Sequence, residues 1–274
     1  MAHYLHQSTH KPLITACETV LIQKHQAVIQ EEFQSLLDFD KNEDLTRMFN
    51  LLSRVPSGLD VLREKFEEHV KKQGLSSVEK VLEGGSEEAK EDDEEEGTKK
   101  KKDKGDVDPK TYVDALLSTH RKYAEMVSSC FSGEPGFVAS FDKAVREFVN
   151  RNVICRNVTS KTAEYITSKS PELLAKFCDA ILRKTNKGGE ELEIEDCLNS
   201  VMTVFKYVED KDVFQKFYSK MLAKRLVNSS SVSDDAETSM IGKLKEACGF
   251  EYISKLQKMF QDIGTSKDLD TAFK

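Results

Sequence analysis

Between positions 207 and 263 apolar residues recur at helical intervals almost without interruption, and this pattern limits the possible fold more than any other feature of the chain. Phe214, Phe217, Tyr218, Met221 and Leu222 stand three and four residues apart, so at about 100° per residue they share one helix face. That face must be buried. The stretch reads as three consecutive amphipathic helices. Asp210 can cap the first, Ser233 with Asp234 and Asp235 the second, and Gly249 lies where the second should stop before a third runs on to Asp262. Lys216, Lys220 and Lys224 repeat on another side, and a solvated face explains them better than a partner-binding stripe. Arg225 is different. It returns to within about 20° of Phe214 on the helical wheel and so points toward the packed side. Arginine is seldom fully buried without a partner, and Asp234 or Asp235 are candidates for that role.

The same helical grammar extends upstream. Pro12 suits a first helical position, and an apolar pattern runs from there through Leu13, Cys17, Val20, Leu21, Val28, Phe33, Leu36 and Leu37 as one long helix. A shorter helix is expected over 43–53. Pro56 with Ser57 opens another, ending before Gly74 with Lys71 and Lys72 in its last turn. Asp108 followed by Pro109 is a strong helix start, and Tyr112, Leu116, Tyr123 and Val127 continue it to about position 131. The segment 133–136 breaks the pattern before Phe137, Phe141, Val145, Phe148 and Val149. Ser170 and Pro171 start a further helix, 185–189 is a turn, and a last helix over 191–207 leads back to the opening segment. No strand is expected. The chain shows no fixed internal period.

One tract departs from this pattern. Positions 83–108 hold 12 acidic residues, 6 lysines and no aromatic residue, too little apolar surface to offset the entropy of ordering, so the tract is expected to be disordered. It carries −6 of the chain's net charge of −7, which leaves the remainder nearly neutral and without a broad field. As a flexible tether it would span about 28 Å. Lys99 to Lys102 with Lys104 resemble a nuclear-import or nucleic-acid patch, but the neighbouring acids compete for those lysines and no aromatic residue is interleaved for base stacking. A solvated polyampholyte linker is the better reading, and neither nucleic acid nor membrane is expected as a partner. No apolar run is long enough to span a bilayer, and no secretory core opens the chain, which favours cytoplasm and nucleus and leaves the sequons at Asn157 and Asn228 unused.

Chemistry is sparse. The six cysteines, Cys17, Cys130, Cys155, Cys178, Cys197 and Cys248, never come closer than 19 positions, so reduced and mostly buried thiols are expected. His3, His6 and His10 have a weak metal-ligand spacing that solvent-exposed histidines explain as well. Every histidine lies at or before position 120, and nothing near the later cysteines points to an activated thiolate. Phosphate-binding and common hydrolase motifs are absent from the sequence. The expectation is no catalytic residue, no cofactor and no metal.

The segments DKDVFQKFYSKMLAKRL (210–226) and SDDAETSMIGKLKEACGFEYISKLQKMFQDI (233–263) closely resemble the cullins. YLHQSTHKPLITACETVLIQKH (4–25), DKNEDLTRMFNLLSRVPSGLDVL (40–62) and SKSPELLAKFCDAILRK (168–184) resemble the same family, and most of all the subtype that builds SCF ubiquitin ligases. Two stretches, 83–108 and 154–167, stand outside the resemblance. It implies an all-α fold: an elongated helical stalk of cullin repeats followed by the start of a helical bundle. Positions 1–82 would hold the end of the second repeat and the start of the third, 83–108 a charged insertion, 109–226 the rest of the third repeat, and 227–274 the beginning of the cullin homology domain. Such a chain would lack both docking termini, the first repeat and the far end with its modifiable lysine.

By the same resemblance, the function expected is a non-catalytic scaffold of an SCF-like cullin-RING ubiquitin ligase acting in ubiquitin-dependent degradation. The implied partners are an adaptor with an F-box substrate receptor, a RING-finger subunit and a cullin-associated exchange factor. Two rivals stand beside it: a free-standing helical module that binds a partner helix in a groove, and a ligase that carries ubiquitin on its own cysteine.

Overall fold

The structure, a computed structural model, describes residues 6–84, 107–155, 169–183 and 191–273. Its helices are α1 (Gln7–Leu21), α2 (Gln26–Glu31), α3 (Phe33–Asp38), α4 (Asn42–Leu52), α5 (Asp60–Gly84), α6 (Pro109–Ser129), α7 (Pro135–Asn150), α8 (Lys169–Ile181), α9 (Glu191–Phe205), α10 (Lys211–Val227), α11 (Asp234–Cys248) and α12 (Phe250–Phe273). Among the described residues there is no strand, only an isolated antiparallel bridge between Arg183 and Ser231. The all-α expectation holds.

Several boundaries follow the capping chemistry. Asp108 accepts from the Thr111 N–H at 2.9 Å and from the Thr111 hydroxyl at 2.8 Å, which closes the start of α6. Ser233 accepts from the Ala236 N–H at 3.0 Å, and Gly249 ends α11 with a φ of 86°, a conformation that favours glycine. Asp210 does sit at the N-cap of α10, but its side chain makes no capping bond.

The N-terminal expectation needs correction. The long helix is broken into α1, a 3-10 turn at Gln23–His25, α2 and α3, and Pro12 lies inside α1 rather than at its start. His6 takes the capping position, its Nδ1 accepting from the Ser8 N–H at 3.4 Å. The breaks re-aim the chain: Ile22, Gln30, Phe33 and Leu37 are buried, whereas Val20, Leu21 and Val28 on the expected stripe stay exposed and α1 buries no residue.

A second correction concerns α5. It begins at Asp60, after a turn with Ser57 at a φ of 57°, and continues through Gly74 to Gly84. Leu62, Phe66, Val70, Gly74 and Val78 form a buried row at four-residue spacing, so the apolar face outlasts the glycine that was expected to end it. Of the charged tract, 85–106 lies outside the described residues, as does the turn expected over 185–189 and nearly all of 154–167.

The described chain divides into two compact units. The first draws on Met1–Gly74 and Thr119–Glu147. Its core is aromatic: Phe131 stacks on Phe137 with centroids 4.0 Å apart, and Phe66 meets both edge-on at 5.4 and 5.6 Å. Each such pair contributes about 0.5–1.5 kcal/mol beyond the area it buries. The Arg63 guanidinium donates to both Glu134 oxygens, and Glu134 also accepts from the Phe137 N–H at 2.9 Å, so the ion pair fixes the start of α7.

The second unit draws on Leu75–Ser118 and Phe148–Lys274. Phe205, Phe214 and Tyr252 pack together, with Phe205 and Phe214 edge-on at 4.9 Å. The Tyr252 hydroxyl donates to the Lys211 carbonyl at 2.5 Å, and Gln215 donates to the Tyr252 carbonyl, which joins α12 to α10. On α10 the buried face is Phe214, Tyr218, Leu222 and Leu226. Phe217 and Met221 are only half-buried, as is Phe260 on α12, whereas Ser219 is buried with its hydroxyl 3.6 Å from the Met259 sulfur. Lys216, Lys220 and Lys224 are exposed, in line with a solvated stripe.

Candidate functional site

The densest polar constellation lies inside the second unit and is built by α8, α10 and α11. Arg225, on α10, is 1% exposed, Asp179 on α8 is 7% and Glu237 on α11 is 0%. Arg225 Nε and Nη2 donate to the two Glu237 oxygens at 2.7 and 2.9 Å, a bidentate pair, while Nη1 donates to Asp179 Oδ1 at 2.6 Å. Arg183 Nη2 reaches the other Asp179 oxygen at 2.7 Å. The Ser231 hydroxyl donates to Glu237 Oε1 at 2.9 Å, the Tyr218 hydroxyl to Glu237 Oε2 at 3.4 Å, and the guanidinium lies over the Tyr218 ring. The Val232 N–H donates to the Leu182 carbonyl at 2.9 Å, so the α10–α11 loop is tied to the end of α8 as well.

The expectation that Arg225 is buried is met, but its partners are Glu237 and Asp179 rather than Asp234 or Asp235, which are exposed in the first turn of α11. Glu237 lies in the same first turn, two and three residues further on, where the helix has rotated to its buried face. A signal for Glu237 was present: it lies three, four and seven positions before Met240, Ile241 and Leu244, on the apolar stripe of α11. Asp179 carries no comparable signal, since it is 46 residues from Arg225.

The electrostatics follow from enclosure. Burial works against the guanidinium charge, but the hydrogen bonds and charge of Glu237 outweigh it and hold Arg225 more firmly protonated than usual. Burial, with the Glu237 charge beside it, pushes the Tyr218 hydroxyl well above its ordinary value. Such a cluster keeps α8, α10 and α11 in one register, because any arrangement that separates the partners leaves an uncompensated buried charge worth about 3–5 kcal/mol.

A second buried network has the same character. The Tyr112 hydroxyl donates to Ser170 at 2.9 Å and accepts from Asn152 at 2.9 Å, and Asn152 Oδ1 accepts from the Cys155 N–H at 3.2 Å. Asn150 donates to the Tyr207 carbonyl at 2.8 Å and accepts from the Glu209 N–H at 3.0 Å. These side chains use their polar atoms to satisfy one another and the backbone, which orients the helices that carry them.

Four of the cysteines are held in the thiol form. Burial pushes Cys155 up to about 11 and Cys178 up to about 12, and it raises Cys197 and Cys248 as well, so the thiolate is disfavoured at each. Cys130, Cys155 and Cys178 are buried, but Cys17 and Cys197 are exposed, which corrects the expectation of mostly buried thiols. His6 caps α1, His10 lies within that helix, and His3 is outside the described residues. Among the described residues no three metal-ligating side chains form a group, and no helix is long and apolar enough to cross a membrane.

Fold and site together define an all-α protein whose helices are joined by buried polar networks. Residues 1–270 match the model of the Cullin alpha solenoid domain, and the chain belongs to the cullin family. It is 50% identical to Cullin-1 of Schizosaccharomyces pombe over 98% of this chain and 32% of that protein. It is 49% identical to Cullin-1 of Dictyostelium discoideum over 97% of this chain and 31% of that protein, and 42% identical to Cullin-1 of Caenorhabditis elegans over 99% and 32%. Within the family it is most like Cullin-1, and it spans about a third of the length of these relatives.

Proposed function

We propose that the chain is part of the non-catalytic scaffold of an SCF-like cullin-RING ubiquitin ligase, acting in ubiquitin-dependent protein degradation in cytoplasm and nucleus. The observation that carries this reading is the likeness to Cullin-1 proteins along nearly the whole chain. In this reading the full protein holds a substrate receptor and a ubiquitin-loaded conjugating enzyme at a set separation, so that a substrate lysine meets the thioester at high effective concentration. The adaptor with its F-box receptor, the RING-finger subunit and the exchange factor are the partners. Positions 109–226 serve as the remainder of the third cullin repeat and 227–274 as the beginning of the homology domain. The Arg225 cluster then straddles the boundary at 226 and fixes α11, the helix that follows it. The raised thiols support a chain that leaves the chemistry to its partners.

The test is affinity capture of the full-length gene product followed by identification of the co-purifying proteins. Recovery of an adaptor and a RING-finger subunit is the expected result. A reducible ubiquitin adduct on the chain itself, or the absence of both subunits, would overturn the proposal.

A further inference from the structure

A buried histidine in the first unit has one ring nitrogen beside both an amide and a carboxylate. His69, on α5, is 4% exposed, and both of its ring nitrogens are engaged. Nε2 lies 2.9 Å from the Tyr123 hydroxyl on α6. Nδ1 lies 3.1 Å from the Gln34 amide nitrogen and 3.3 Å from Asp38 Oδ1, both on α3, and the same amide nitrogen donates to Asp38 Oδ1 at 2.9 Å. An amide nitrogen carries two hydrogens and no acceptor, so it can serve Asp38 and His69 together only when Nδ1 offers a lone pair. The neutral ring therefore carries its hydrogen on Nε2 and donates it to Tyr123.

Adding a proton from solvent places a hydrogen on Nδ1. That hydrogen faces the Gln34 donor, which is repulsive, and faces the Asp38 carboxylate, which is attractive. We propose that His69 is a proton-operated exchange at the corner of α3, α5 and α6: neutral, it holds Gln34; protonated, it releases Gln34 and pairs with Asp38. Nε2 keeps its bond to Tyr123 in both states, so the change is confined to the α3 side.

The charged and titratable groups around the ring set its direction. Burial is the largest influence and holds the imidazole below its ordinary pKa; Asp38 opposes burial, Lys122 on α6 reinforces it, and Asp40 after α3 opposes it again. Lys122 is itself paired with Asp40 at 2.8 Å, and Lys65 on α5 is held by the Gln30 carbonyl at 2.7 Å. Tyr123, the remaining group on α6, is driven by burial further from ionisation and stays neutral. Because the unfolded chain binds the proton more readily, the stabilisation from neutral His69 is fully present above pH 6.5 and is lost as pH falls from there through the folded value.

The experiment is a nitrogen-detected histidine titration by NMR on the 274-residue chain, followed together with the Gln side-chain amide signals. The proposal requires an Nε2–H tautomer at neutral pH and a Gln34 amide signal that shifts with the midpoint of His69. Gln34→Glu replaces the donor with a carboxylate and should move that midpoint upward, while Asp38→Asn should move it downward. An Nδ1–H tautomer at neutral pH, or a Gln34 signal indifferent to the His69 transition, would overturn it, and both readouts come from the unsubstituted chain.

Discussion

Replacing Glu237 with Ala removes the buried carboxylate that accepts two hydrogen bonds from Arg225, one from Ser231 and one from Tyr218. The guanidinium stays enclosed at 1% exposure with Asp179 as its remaining anion within the cluster. Breaking a buried pair from one side costs about 3–5 kcal/mol, since the surviving charge loses its compensation without regaining water. For a chain of this size, one kcal/mol lowers the melting temperature by about 2–4 °C, so a loss of about 6–20 °C is expected. Calorimetry and urea denaturation of the 274-residue chain measure it. Asp235→Ala is the control, because that carboxylate sits exposed in the first turn of the same helix and its removal should cost less than about 1 kcal/mol. Combining Glu237→Ala with Arg225→Met should cost less than the two single changes added, with a coupling of about 1–3 kcal/mol. A Glu237→Ala loss within 1 kcal/mol of the Asp235→Ala loss would refute the reasoning, since it would mean that Arg225 is solvated or paired elsewhere.

Other expectations follow from the same packing. Phe214→Ala should cost about 3–5 kcal/mol and Phe217→Ala clearly less, because Phe214 is fully buried and Phe217 is not; equal losses in urea denaturation would contradict that difference. Gly58→Ala should cost at least about 2 kcal/mol, since a Cβ there would collide with the Leu52 carbonyl, which is backbone and cannot swing aside; an unchanged melting temperature would place the turn differently. Burial pushes the Glu134 carboxyl up, but bonds from the Phe137 and Gly136 N–H groups and from Arg63 outweigh it and hold it below the ordinary range. Its contribution is therefore present above pH 4.5 and lost as pH falls through the folded value, and Glu134→Gln should flatten the acid side of a stability-versus-pH curve.

The helix order was readable because caps and apolar spacing are local. Asp108 before Pro109, Ser233 and Gly249 each act within one turn of their own position, so the sequence carries the whole signal. The inward face of Arg225 was readable for the same reason, being a matter of angle along one helix. Its partners were not, because Asp179 reaches it only after the chain has folded back through α9 and α10. The misplaced end of α5 has a similar origin. Glycine weakens a helix by about 1 kcal/mol, which a continuing buried row at Val70, Gly74 and Val78 offsets, and only packing reveals that. The broken N-terminal helix was hidden because its apolar residues match a helical period, although several of them end in solvent. His69 gave no sequence signal, since its partners Gln34, Asp38 and Tyr123 come from two other helices.

The central claim is that these residues place helices and perform no transfer chemistry themselves. The most direct measurement is substrate ubiquitination by the full-length gene product, assembled with the RING-finger subunit proposed above and a charged conjugating enzyme, after Cys17, Cys130, Cys155, Cys178, Cys197 and Cys248 are all replaced by Ala and the helical fold is verified by circular dichroism. The account predicts a transfer rate unchanged from the unsubstituted protein and no reducible ubiquitin adduct on this segment in either form. A folded cysteine-free protein that no longer transfers ubiquitin, together with an adduct that disappears with the cysteines, would contradict it.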